Sequence, residues 1–318
     1  MHFKLAILFI FLSSYLFSEK IEFQSANPFS FNDIIENLDN QENQTVYGDL
    51  KFPEEINDDN IKYPLVIGVA GSLGWKAHHY EQLEMYRDMG IATFELRSFS
   101  SRGIESTVGT QVEVTTAMLI LDSYNALDEI GSHPNIDIDN VAITGWSLGG
   151  ATTLFSGWKP IIDAISPQNK FSAHLSYYPP CIVSFEDAGF TDSPIHILIG
   201  EDDDWTPALA CEQLVNDLSS EGVDIDLTVY KNSHHSFDSE LPLIYVEDGY
   251  GLSECRFNLR NDGAILMNFL GIPMTSPFLQ KMGLYFCANR GTTIAGNSEA
   301  RKSAHEFSKS FMKKYLID

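Results

Sequence analysis

Between residues 141 and 155 an apolar, β-prone stretch (Val141, Ala142, Ile143, Thr144) runs through Gly145-Trp146-Ser147-Leu148-Gly149 into Gly150, Ala151, Thr152, Thr153, Leu154 and Phe155, which can start a helix. A strand that turns abruptly into a helix must force one residue into a backbone conformation that side chains resist. Small neighbours make the room. Gly145 and Gly149 flank Ser147 in that way, so the serine hydroxyl is expected to point out of the top of a sheet as a candidate nucleophile. The pentapeptide alone recurs by chance. The strand before it and the helix after it give it weight.

A serine hydroxyl needs a base, and the base needs a group to orient it. Pro194 to Gly200 reads as a buried strand ending in the loop Glu201-Asp202-Asp203-Asp204-Trp205, with Thr206 expected as a helix N-cap and Pro207 at the first helical position. Asp226 to Tyr230 reads as another strand, running into Asn232-Ser233-His234-His235-Ser236-Phe237. A carboxylate and a histidine therefore each follow the C-terminal end of a strand, the edge at which open α/β sheets bind ligands. The order serine, acid, histidine completes a triad pattern. Taken alone, the acidic loop could be a solvated face or a calcium loop, but the glycine and terminal glutamate of an EF-hand are absent.

With these motifs in view, the chain resembles the dienelactone hydrolase family of the α/β-hydrolase superfamily, in particular its exported, serine-containing members. The resemblance runs from about Lys62 to the last helix. It rests on Gly145 to Gly149, on the run from Gly200 through Asp203 to Pro207, and on His234-His235-Ser236-Phe237. It implies an α/β-hydrolase fold, a mostly parallel doubly wound sheet with helices on both faces. It also selects Asp203 as the acid and His235, rather than His234, as the base. The namesake enzymes carry cysteine where this chain has Ser147, so their substrate does not transfer.

Two backbone N–H groups are expected to hold the oxyanion. One belongs to Leu148, after the nucleophile; the other to Ser72, after the apolar strand Pro64 to Ala70. Here Ala70-Gly71-Ser72 stands where many superfamily members have His-Gly-X. Arg102, His234 and Trp205 are candidate substrate-binding residues, Arg102 because a guanidinium can grip a substrate carboxylate bidentately. His78 and His79 are expected at the surface, at the start of a helix. No zinc-type spacing is present, and no metal or organic cofactor is implied. The expected reaction is hydrolysis of a carboxylic ester or lactone through an acyl-enzyme. A peptidase or acyltransferase on the same residues, or a binding protein on a retained scaffold, is the alternative.

Met1-His2-Phe3-Lys4 followed by apolar Leu5 to Leu12 reads as a secretory signal peptide over residues 1–18, too short to span a membrane comfortably. Export to the periplasm or the extracellular medium follows, with no stable membrane association after cleavage. The formal net charge of −24 over 318 residues argues against nucleic acid and anionic membranes as partners. A small-molecule ester is the expected partner, and the oligomeric state is open. Of the four cysteines, Cys181 and Cys211 are expected to pair, because both should lie at the edge of the sheet that carries the triad. Cys255 and Cys287 are left to pair or stay free.

Residues 19–45 are polar and read as a loosely ordered N-terminal arm, ahead of a hydrolase domain over 46–318. Strands near 45–52, 64–70, 92–97, 141–146, 173–178, 194–199 and 226–230 alternate with helical segments, the signature of a mostly parallel sheet. Helical stripes at Val114, Ala117, Met118 and Leu121, at Cys211, Leu214, Val215 and Leu218, and at Ala300, Ala304, Phe307 and Phe311 are core faces. Residues 237–297 are too long for an ordinary loop and read as an excursion near the site.

Overall fold

Strand sequences such as Leu65-Val66-Ile67 and Val141-Ala142-Ile143 are apolar at every position, and all six residues are fully buried. A strand that alternates buries one face; a strand that does not must be covered on both. The computed structural model, which describes residues 18–53, 60–268 and 270–318, has that architecture. The expected leader lies outside the described residues except for Ser18.

The chain runs β1 (Ser18–Ala26), α1 (Phe31–Asn37), β2 (Asn43–Lys51), β3 (Tyr63–Val69), α2 (Ala77–Asp88), β4 (Ala92–Leu96), α3 (Ser98–Ser101) and α4 (Thr116–Ile130). It continues through β5 (Ile136–Trp146), α5 (Leu148–Phe155), α6 (Lys159–Ile165), β6 (Ala173–Tyr177), β7 (Val183–Phe185), β8 (Ile195–Gly200), α7 (Ala208–Ser220) and β9 (Ile225–Tyr230). The last part holds β10 (Ile244–Gly251), β11 (Phe257–Leu259), β12 (Ile265–Leu266), α8 (Pro277–Cys287), β13 (Asn289–Ile294) and α9 (Ser298–Leu316).

The central sheet has the order β1-β2-β4-β3-β5-β6-β8-β9. From β4 to β9 every pairing is parallel, whereas β2 pairs antiparallel with β4 and β1 antiparallel with β2. Helices α4 and α5 pack on one another, as do α2 and α9, and together they cover the sheet. The three expected helical stripes fall on α4, α7 and α9, with Val114 just ahead of α4. Among the described residues no helix is long and apolar enough to cross a membrane.

The expected loose arm at 19–45 is corrected by the structure. Residues Ser18–Ala26 form a full edge strand, in register with β2 from Ser18↔Lys51 to Ala26↔Asn43. Their polarity has a physical reason: only Phe23, Ser25 and Ala26 in β1 are buried, as suits an edge. Ser30 then starts α1 with a capping box, its side chain accepting from Asp33 N–H while the Asp33 carboxylate accepts from Ser30 N–H at 2.8 Å.

Residues 237–297 fold into small units rather than loop. Strands β10 and β13 form an antiparallel pair, and β11 joins β7 in parallel and β12 antiparallel. A disulfide between Cys255 and Cys287 ties α8 to this segment. The other disulfide joins Cys181 to Cys211, the expected pair.

Candidate active site

Ser147 sits between the end of β5 and the first turn of α5 with φ 57° and ψ −110°, in the left-handed region that side chains avoid. The crowding around it explains its glycines. A Cβ on Gly145 would stand 2.1 Å from the Gly149 carbonyl oxygen, and one on Gly149 would stand 2.0 Å from that of Val69. No side chain fits at either place, so α5 presses directly on β3 and the serine is pushed outward. The Ser147 N–H donates to the Tyr177 carbonyl at 2.9 Å, anchoring the turn to β6.

The other two groups meet it. His235 Nε2 lies 3.0 Å from Ser147 Oγ, and His235 Nδ1 lies 2.8 Å from Asp203 Oδ2. Both Asp203 and His235 are buried. The Asp203 Oδ1 accepts from the N–H groups of Trp205 and Thr206 at 2.9 and 2.7 Å, which orients the carboxylate. With Asp203 accepting a hydrogen bond from Nδ1–H, the neutral His235 tautomer has its Nε2 lone pair facing the serine. The ring is wedged between Tyr178 and Trp205, at centroid distances of 4.6 and 5.1 Å.

Thr206 does not cap α7 as expected. The helix starts at Ala208 with Pro207 in the capping position, and no side chain caps it. The Thr206 hydroxyl instead lies 3.0 Å from Asp203 Oδ2, 3.1 Å from His235 Nδ1 and 3.1 Å from the Tyr178 carbonyl. Burial among polar acceptors outweighed the helix terminus.

Leu148 is the first residue of α5, so its N–H is one of the four that a helix start leaves without an intrahelical partner. Ser72 lies within a tight Gly71–Gly74 turn that rests on the elbow, where a Cβ on Gly71 would come within 2.8 Å of the Trp146 carbonyl oxygen. The Ser72 carbonyl accepts from Thr107 N–H at 2.9 Å and Ser106 Oγ at 3.1 Å, which fixes the orientation of this loop. Ser72, Ser147 and Leu148 all border a recess of about 190 Å³, walled largely by apolar side chains from the start of the chain, from α5 and from the excursion. A second, smaller recess of about 40 Å³ opens on the other side of Ser147, lined by Lys76, His78, His79, Trp146, Tyr178 and His235, among others.

The remaining candidates divide. Trp205 borders both recesses. Arg102 is corrected: it is buried in the fold, its guanidinium holding Asp122 at 2.7 and 3.1 Å, Asn27 Oδ1 at 2.8 Å and the Ala26 carbonyl at 3.1 Å. An arginine so engaged has no donor to spare for a substrate. His234 lines neither recess; it is half-buried, with Nδ1 3.0 Å from Thr293 Oγ1. His78 and His79 are also corrected, being 6% and 3% exposed. His79 stacks on Trp146 at 4.3 Å, and burial lowers the pKa of both imidazoles. The turn of helix they begin is pressed against the elbow, which hydropathy alone does not reveal.

One group near the site has no motif that announces it. Asp238 is 1% exposed and accepts from Trp146 Nε1 and Tyr178 Oη, each at 2.9 Å. The only sequence signal is its position three residues after His235. Among the described residues no cluster of histidine, cysteine, aspartate and glutamate is arranged to hold a metal ion.

A model of the dienelactone hydrolase family matches residues 84–250. No match is found among curated proteins. The solved structure named m3DLH is similar over 94% of this chain and 99% of its own, with 15% identity and a TM-score of 0.59, which speaks for a shared fold. The dienelactone hydrolase-like promiscuous phosphotriesterase P91 from metagenomic libraries aligns over 70% of this chain and 85% of its own at 18% identity, TM-score 0.49. The thermophilic esterase Est2 of Thermogutta terrifontis aligns over 67% and 86% at 14% identity, TM-score 0.49.

Proposed function

This chain belongs to the dienelactone hydrolase family, and we propose that, as a hydrolase of that kind, it cleaves a carboxylic ester or lactone through an acyl-enzyme on Ser147. The observation that carries the reading is the continuous chain from Ser147 Oγ through His235 to Asp203, at 3.0 and 2.8 Å, on a serine held at φ 57°. His235 takes the serine proton at Nε2 as Oγ bonds to the acyl carbon, and Asp203 stabilises the imidazolium that forms. The N–H groups of Leu148 and Ser72 receive the oxyanion. The carbon–oxygen bond to the alcohol then breaks, and His235 returns the proton to the leaving oxygen. Water, deprotonated by the same nitrogen, releases the acid and restores Ser147.

Export is part of the proposal. Two disulfides and the absence, among the described residues, of a membrane-spanning helix are compatible with a protein working in an oxidising compartment. The apolar Leu5 to Leu12 stretch supports a secretory leader.

Labelling with a fluorophosphonate together with ester turnover tests the catalytic reading. Wild type should be labelled at Ser147, and Ser147→Ala and His235→Ala should each lower kcat by at least about 10³. The double variant should be little worse, because the members act as a unit. Additive losses, or labelling elsewhere than Ser147, would sink it.

A further inference from the structure

Helix α8 has two faces of unlike chemistry. Ser276 starts it as an N-cap, its side chain accepting from Leu279 N–H, with Pro277 at the first helical position. On the inner face Gln280 and Leu284 wall the larger recess beside Ser147. Gly283 seats the helix closely on Met274, a further wall residue, since a Cβ there would stand 2.2 Å from the Met274 Sδ. Gln280 Nε2 donates to the Gln111 carbonyl at 2.6 Å, and the disulfide from Cys287 to Cys255 holds the far end.

The outer face carries Phe278, Lys281 and Tyr285, spaced i, i+3 and i+7. Phe278 is 74% exposed and Tyr285 81%, and Leu270, in the turn that leads to the helix, is 78% exposed. Large apolar side chains grouped in water on one element mark a surface that makes contact with something else.

Charge singles out the same segment. None of the 44 acidic residues falls between Asp262 and Glu299, although they average one about every seven positions, and no other acid-free run in the chain is as long. The other exposed apolar group, Leu243 and Tyr245, has Glu240, Glu247 and Asp248 close by in sequence. A carboxylate is costly to press against an apolar medium, and α8 brings none.

Two kinds of occupant could cover such a face. A second copy would bring together two chains that each carry a charge of −24. An aggregated ester has no net charge, and its surface would lie where substrate is needed. The outer face of α8 is one helix diameter, about 10 Å, from the side that lines the recess. The recess itself asks for the same chemistry, since Phe29, Ala151, Ile182 and Leu252 can bury an aliphatic acyl chain.

Resting on the serine-hydrolase reading above, we propose that α8 docks through Phe278 and Tyr285 on the uncharged surface of an aggregated, water-insoluble aliphatic ester. The helix lies in the plane of that surface with its aromatic side immersed, and the larger recess takes up an acyl chain drawn from it.

Flotation with trioctanoin droplets reads docking without turnover when the full chain carries Ser147→Ala. That chain should rise with the droplets, and equally so in about 1 M sodium chloride, because apolar contact is not screened. Adding Phe278→Gln and Tyr285→Gln, which keep helix propensity and remove apolar surface, should weaken partition at least about tenfold. With Ser147 intact, the same pair of substitutions should lower initial rates on the emulsion by a similar factor and leave kcat/KM for dissolved methyl butyrate unchanged. Absence of flotation, its loss in salt, flotation or emulsion rates that the pair leaves untouched, or an emulsion that wild type does not cleave overturns the docking. With Ser147 still labelled by fluorophosphonate, the hydrolase reading stands. A wild-type dimer that the pair converts to monomers assigns the face to a second copy and overturns the docking as well. Wild type that takes no label on Ser147 overturns the hydrolase reading, and this proposal with it.

Discussion

Replacing both cysteines of one disulfide by alanine separates two bridges that chain statistics makes nearly equal. Cys181 and Cys211 are 30 residues apart and Cys255 and Cys287 are 32 apart. In the chain-entropy account, closing loops of these sizes removes about 12 cal/mol/K from the unfolded chain in each case, or roughly 3.7 kcal/mol at 25 °C. What the loops contain is different. The first encloses β8, Asp203 and Thr206, so it cannot open without pulling a strand from the central sheet. The second lies wholly within the excursion, which can unfold while the central sheet persists. In urea, with a slope of about 3 kcal/mol/M for a chain of this size, Cys181→Ala/Cys211→Ala should lower the midpoint of global unfolding by roughly 1 M. The Cys255→Ala/Cys287→Ala variant should move that midpoint by less than about 0.3 M. Its activity should instead be lost at lower urea than its far-ultraviolet circular dichroism, because Tyr250, Leu252, Phe257 and Leu284 wall the larger recess. Equal midpoint shifts in the two variants, or coincident loss of activity and secondary structure in the second, would refute the reasoning.

Three further outcomes follow from groups described above. Arg102→Met leaves the fully buried Asp122 without its cation and should destabilise by about 3–5 kcal/mol in chemical denaturation, with KM for a carboxylate-bearing ester unchanged; a large rise in KM would return Arg102 to the substrate. Thr206→Val removes the hydroxyl shared by Asp203, His235 and the Tyr178 carbonyl, and should lower kcat about tenfold with KM little altered; an unchanged kcat refutes a positioning role. His174, fully buried with Nδ1 3.0 Å from the Thr153 carbonyl, has its pKa lowered by burial from 6.5 to about 4. The unfolded chain thus binds a proton that the folded one refuses, so its contribution is present above pH 6.5 and is lost as pH falls toward 4. The loss is on the order of 3 kcal/mol. His174→Gln should flatten this limb of stability measured against pH, and an equally steep limb in the variant refutes the assignment.

What could be read from the residues and what could not divide along a physical line. Local rules reached the elbow, because a strained turn demands glycines on either side of Ser147, and they reached the parallel strands, because β3 and β5 are apolar at consecutive positions. They also reached Cys181 and Cys211, whose placement depends only on which end of a strand each follows. They failed wherever a partner comes from far along the chain. The start of the polar stretch at 19–45, through Ala26, becomes an edge strand because β2 exists beside it, and polarity alone does not distinguish an edge from an arm. Arg102 resembles any exposed arginine until α4 brings Asp122 against it. Thr206 satisfies the preference for a helix N-cap, yet its hydroxyl goes to Asp203.

Asp238 has a consequence for how this site tolerates change. One of its oxygens holds the indole of Trp146, the residue before Ser147, and the other holds the phenol of Tyr178, whose ring packs on His235. The surroundings of Ser147 and of His235 are thereby hung from opposite ends of a single carboxylate, although the two residues follow different strands. Loss of either donor frees an oxygen that can be drawn toward the other side, so the neighbours of Ser147 and of His235 do not vary independently. Substitutions at positions 146 and 178 should show epistasis, the harm done by one depending on which residue occupies the other. Sequence change at this site should then proceed through correlated pairs rather than single steps.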